Sequence, residues 1–151
     1  MFETWPALIG AAFVALVAAF ALLKGGAPER IGGSAFLLGW LASLIVQTRM
    51  DFAGVQWLMF ALDVTMLVIF GSMVWKAPRS WPVWACALQL LAVTSHVMVM
   101  LHLKPTISAF YTVVNLTGYG IMLSIAIGTF WAWQERKVAE MSDFESDRII
   151  R

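Results

Sequence analysis

Charge is what this chain has least of. Lys, Arg, Asp and Glu make up 13% of its 151 residues, and ten bases against nine acids leave a net charge of +1. A disordered polyelectrolyte and a nucleic-acid reader are excluded, because both need charge or polarity in surplus. Cysteine is nearly missing: Cys86 stands alone, so no intramolecular disulfide is possible and a disulfide scaffold is excluded. Histidine is confined to His96 and His102, and neither H-E-x-x-H nor C-x-x-C occurs, which leaves no zinc-site spacing. On one helix those histidines lie about 120° apart and roughly 9 Å along the axis, so they cannot grip one haem iron from opposite sides. No cofactor follows from these residues.

Apolar side chains are what the chain has: 61% of residues are hydrophobic, and the mean hydropathy is +0.81. This is the composition of a membrane protein. Five uncharged or nearly uncharged runs, residues 4–23, 31–48, 52–75, 80–103 and 105–134, meet the requirement of about 17 to 25 residues for crossing a bilayer. Their unbroken length predicts helices, since a transmembrane barrel needs short alternating strands. The fold class expected is all-α, a polytopic transmembrane bundle of five helices over residues 1–134, followed by a polar cytoplasmic tail over 135–151. Helix starts are marked by Thr4 before Trp5-Pro6, by Ser80 before Trp81-Pro82, and by Pro105. The beginning Met1-Phe2-Glu3 lacks the cationic start of a secretory signal, so the first run reads as retained.

Five crossings put the termini on opposite faces. Lys24, Arg30, Lys76, Arg79, Arg136, Lys137, Arg148 and Arg151 fall on one side, and only Arg49 and Lys104 on the other. This bias predicts an N-terminus outside and a cytoplasmic C-terminus. Tryptophans are expected at headgroup level: Trp5 and Trp57 outside, and Trp75, Trp81, Trp84, Trp131 and Trp133 inside, with Trp40 in mid-span.

A tryptophan-rich five-span chain of this length is similar to the tryptophan-rich sensory protein family, but that family's Trp-Asn-Pro-Pro signature is missing, and the chain is not placed there. Pro28-Glu29-Arg30-Ile31 ahead of the second run and Trp81-Pro82-Val83-Trp84 ahead of the fourth resemble short uncharacterised polytopic membrane proteins of alphaproteobacteria. That resemblance covers most of the chain, brings no activity, and implies a bacterial inner membrane.

Helices associate in lipid through close approach at small residues. Rows of them stand at Ala7, Ala11, Ala15 and Ala19, at Ala35, Gly39 and Ser43, and at Gly120, Ser124 and Gly128. These rows serve packing within the bundle, and serve equally a homo-oligomer or another membrane protein as partner beside the lipid bilayer.

The one acid within a run is Asp63, which costs about 2.5–3.5 kcal/mol at mid-bilayer unless paired or hydrated. Counting from the short loop between the third and fourth runs sets His96 level with it. Asn115, on the returning fifth run, reaches a similar depth. Tyr111, Asn115 and Tyr119 share one helix face, as do Gln89 and His96. A cluster of Asp63, His96 and Asn115, flanked by Gln89 and Tyr119, is therefore expected. It serves either to fix helix pairing or to bind or conduct a small ligand, ion or proton. Ser95 adjoins His96, but neighbours on a helix diverge by about 100°, and neither Ser43 nor Ser124 sits in a nucleophile motif. No enzymatic step is expected. The tail, with five acids and four bases from Glu135 onward, is not a polybasic anchor. It reads as a solvated stop, or less directly as a docking segment using Phe144, Ile149 and Ile150. A non-enzymatic binding or conducting protein predicts a cavity beside Asp63, whereas an assembly or regulatory subunit predicts a sealed cluster.

Overall fold

Where water is absent, a backbone has to satisfy its own N–H and C=O groups, and an uninterrupted apolar run does so as a helix. The computed structural model describes residues 5–49, 52–76, 79–101 and 107–150. They form α1 (Trp5–Lys24), α2 (Ala27–Arg49), α3 (Phe52–Lys76), α4 (Trp81–Met100) and α5 (Ile107–Ile150), with no strand among the described residues. Four of the five, α2 to α5, are long and apolar enough to cross a membrane, and α1 adds a shorter apolar helix over Leu8–Lys24. Met1-Phe2-Glu3, His102, Lys104 and Pro105 lie outside the described residues, as do the side chains of Trp5, Ala7, Phe144, Ile149 and Ile150.

The helices form a ring. Each packs on its neighbours in the chain, α5 closes against α1, and α2 also reaches α5. Among the described residues α3 and α5 do not touch. Around an apolar core that includes Val14, Phe70, Ile121 and Ile125, the outer surface is apolar too: Leu16, Leu23, Val68, Leu116 and Trp75 are exposed, while Gln89, His96, Thr117 and Glu29 are buried. Outward apolar surface on this scale fits lipid as the surrounding solvent.

One end of the ring is tied by Glu29, which has no exposed surface. The second helix was expected to begin at Ile31, but it begins four residues earlier, because Glu29 does not bound the helix; it caps it. The Glu29 Oε2 accepts the Gly26 N–H at 2.9 Å, the reach-back half of a capping box, with Pro28 in the same first turn. Its Oε1 accepts the Trp81 indole N–H at 2.9 Å, and Arg79 Nε stands 3.8 Å away. Arg79 continues to Glu135 Oε2 at 2.7 Å. Arg136 donates to the Lys24 carbonyl, and Arg30 Nε donates to the Gly25 carbonyl at 3.1 Å, so the free carbonyls closing α1 are met by cations. Four helices and both loops at this end meet in one network.

Trp81 stands at the start of α4 with its ring buried inside the bundle, because Gly32 and Gly128 leave a slot: a Cβ on either would collide with the ring. Phe70 meets that ring edge-on at 6.4 Å. Trp57, Trp75, Trp84 and Trp131 are exposed. Ser80 stands at the N-cap of α4, but its hydroxyl makes no capping bond; proline at the first turn sets the start instead.

Small residues mediate approach unevenly. Gly39 lies under Met66, and Gly120 under Leu88. Ser43 and Ser124 donate to the Trp40 and Gly120 carbonyls of their own helices. On α1 the alanine row is not the packing face: Ala11 is half-buried and Ala15 and Ala19 are exposed, while Val14, Val17, Ala18 and Ala21 are buried. A strict four-residue row precesses by about 40° per step around the helix, so it crosses faces rather than following one.

α5 runs without a break through the polar residues after Gln134, roughly 66 Å at the helical rise. Lys137 Nζ sits 4.2 Å over the Trp133 ring.

Candidate functional site

Toward the other end of the ring lies the polar cluster. Gln56 and Asp63 are seven apart on α3, and Gln89 and His96 are seven apart on α4, so each pair occupies one stripe. The two helices are packed antiparallel, and the stripes face each other. His96 Nε2 stands 3.0 Å from Asp63 Oδ2. Gln89 Nε2 donates to Asp63 Oδ1 at 2.8 Å and to the Asp63 carbonyl at 3.2 Å. Gln56 Nε2 lies 3.3 Å from His96 Nδ1.

Donor and acceptor matching assigns a proton pattern. An amide nitrogen only donates, so with Gln56 in this orientation His96 Nδ1 accepts and the ring carries its hydrogen on Nε2, toward the carboxylate. Rotating the Gln56 amide would present an oxygen to Nδ1 and match a doubly protonated ring. Gln56, His96, Asp63 and Gln89 therefore form one hydrogen-bonded chain across α3 and α4.

His96 is 4% exposed and Gln89 3%, whereas the Asp63 side chain keeps 25% of its surface open. That opening is a cavity of about 510 Å³. Gln47, Gln56, Asp63, Gln89, His96 and Asn115 reach it, with Trp40, Phe110, Tyr111 and Tyr119 as aromatic wall. Phe110 meets the His96 ring edge-on at 5.1 Å. Among the described residues no side-chain N or O is fully buried without a hydrogen-bond partner. The cluster is thus internally satisfied, with Asp63 as its partly exposed member.

Two of the expected members are not joined to the pair. Asn115 is exposed to the cavity and, among the described residues, makes no hydrogen bond to Asp63 or His96. It belongs to α5, which does not touch α3, so equal depth did not produce contact. Tyr119 turns toward α1: its hydroxyl lies 3.6 Å from where a Cβ on Gly10 would stand, and its ring is 6.4 Å from that of Phe13. Both residues line the cavity wall instead.

Gln56 and Glu29 are the residues that sequence reasoning missed. The seven-residue interval that linked Gln89 to His96 also links Gln56 to Asp63. For Glu29 the signal was the spacing Gly26, Pro28, Glu29, a helix-start pattern hidden by treating charges as span boundaries.

Ser95 donates to the Leu91 carbonyl at 2.9 Å, away from His96. Among the described residues, no group of three or more His, Cys, Asp or Glu is placed to hold a metal ion. Comparisons with protein-family models, with curated proteins and with solved structures found no match.

Proposed function

We propose that the chain is a small multi-pass membrane protein that binds or conducts a small polar ligand, ion or proton at Asp63 and His96, without an enzymatic step. The observation that carries this reading is the cavity of about 510 Å³ lined by Asp63, whose side chain stays partly exposed while bound to Gln89 and His96. A cluster whose work was only to pair α3 with α4 would gain nothing from remaining open, because hydration beside an intramembrane acid weakens the pairing it supplies. Cavities lined by a few polar groups among aromatic walls are the usual form of small-ligand sites.

In this proposal α1 is the fifth span, its 20 residues giving about 30 Å. The basic bias supports an N-terminus outside and a cytoplasmic α5 end, and the resemblance to short polytopic proteins of alphaproteobacteria supports a bacterial inner membrane. The Asp63 cavity then lies in the outer half, and the Glu29 network at the cytoplasmic face. The test is Asp63→Asn in proteoliposomes, following proton uptake and pH-dependent tryptophan fluorescence. The substitution is expected to remove both responses, and responses equal to those of the wild type would overturn the reading.

A second reading, an assembly or regulatory subunit, is favoured by the exposed Ala15 and Ala19 on α1. Small residues facing outward permit close approach of another transmembrane helix. Substituting Ala15→Leu would abolish a co-purifying partner on this reading and leave proton uptake unchanged on the first.

A further inference from the structure

A second cavity, about 590 Å³, opens between α2 and α3; Asp63 does not line it, and Gly39, Leu62 and Met66 form the wall it shares with the Asp63 cavity. Its wall is apolar except at Arg30, Ser34 and Thr65, and the Thr65 hydroxyl is already given to the Ala61 carbonyl at 2.8 Å. From Arg30 to Ala42 the groove follows α2 for about 18 Å, with Gly39 and Ala42 keeping its floor low.

Two observations at one end give the groove a polarity. Arg30 is exposed and held by its Nε bond to the Gly25 carbonyl, and among the described residues no acid pairs with it. One turn further along, Ser34 presents an unused hydroxyl. The other described serines and threonines in helix interiors, Ser43, Ser72, Ser95, Thr117 and Ser124 among them, donate to a carbonyl three or four residues back, and Ser34 does not. A guanidinium and a free hydroxyl one turn apart, at the end of a long apolar slot, match the phosphate and ester oxygens of a lipid whose tail lies along the slot.

We propose that the α2–α3 groove binds one anionic phospholipid from the leaflet at the α1–α2 loop, its phosphate on Arg30 and Ser34 and one acyl chain along Gly39 and Ala42. The seat belongs to a lipid rather than a second copy of the chain, because a helix packed there would bring its own apolar surface against an unpaired cation.

The test is native mass spectrometry of the purified full chain titrated with phosphatidylglycerol or with phosphatidylcholine of the same acyl chains. The wild type is expected to hold phosphatidylglycerol about fivefold more tightly, the contribution of one basic residue. Arg30→Gln should erase that preference, while Lys76→Gln, at the same membrane face but outside the groove, should keep it. Ala42→Phe, which fills the slot far from the charge, should weaken both lipids and serves if Arg30→Gln does not fold. An undiminished preference in Arg30→Gln, an equal loss in Lys76→Gln, or a wild-type dimer that Ala42→Phe dissociates would each overturn the proposal.

Discussion

The molecule places a carboxylate at each end of its bundle and treats the two differently. Glu29 is fully enclosed, its oxygens taken by a backbone N–H and an indole N–H and its charge faced by Arg79. Asp63 is held by Gln89 and His96 through both oxygens, but a quarter of its side-chain surface stays exposed and it lines a cavity. The first arrangement locks four helices together, so its value is stability. The second remains within reach of whatever enters the cavity, which is what binding something else requires.

Substitutions can break this contrast. The largest effect is expected from Glu29→Ala, which strips partners from Gly26, Trp81 and Arg79 together. Losing the cap and orphaning a buried indole N–H together cost about 2–4 kcal/mol, readable as a fall in thermal unfolding temperature or in recovery of folded protein from detergent. Next, Gly128→Val should cost about 1–3 kcal/mol by forcing the Trp81 ring from its slot, with increased quenching of tryptophan fluorescence as a second readout. Asp63→Asn should be milder in stability, about 0.6–2 kcal/mol, since Gln89 keeps an oxygen to donate to and membrane hydrogen bonds are individually modest. Its consequence falls instead on proton uptake. If Asp63→Asn destabilised as much as Glu29→Ala, the two ends would be equivalent and the contrast would fail. The smallest effect is expected from Asn115→Ala, within about 0.5 kcal/mol by thermal unfolding, because that amide lines the cavity without bonding to the pair.

Much of this was legible in the chain. Long uncharged runs dictated helices, and their ends were read to within about four residues, the α2 start among them, except at α5, which continues from Gln134 to Ile150 because a polar sequence outside an apolar run can still be helical. Depth counting across a short loop brought Asp63 and His96 together, since adjacent antiparallel helices are nearly a one-dimensional problem. It failed for Asn115 because depth says nothing about which helices adjoin around a ring. The burial of the Trp81 ring was not legible either, because its slot is opened by Gly32 and Gly128, 96 residues apart in the chain.

The sequence by itself determined the elements and their solvent: apolar length sets a helix in lipid whatever its neighbours do, because the backbone has no other way to satisfy itself. Only the tertiary structure decided which polar groups are sealed and which stay open. That outcome depends on the angular position of each helix in the ring, which is fixed by side chains from several helices packing at once.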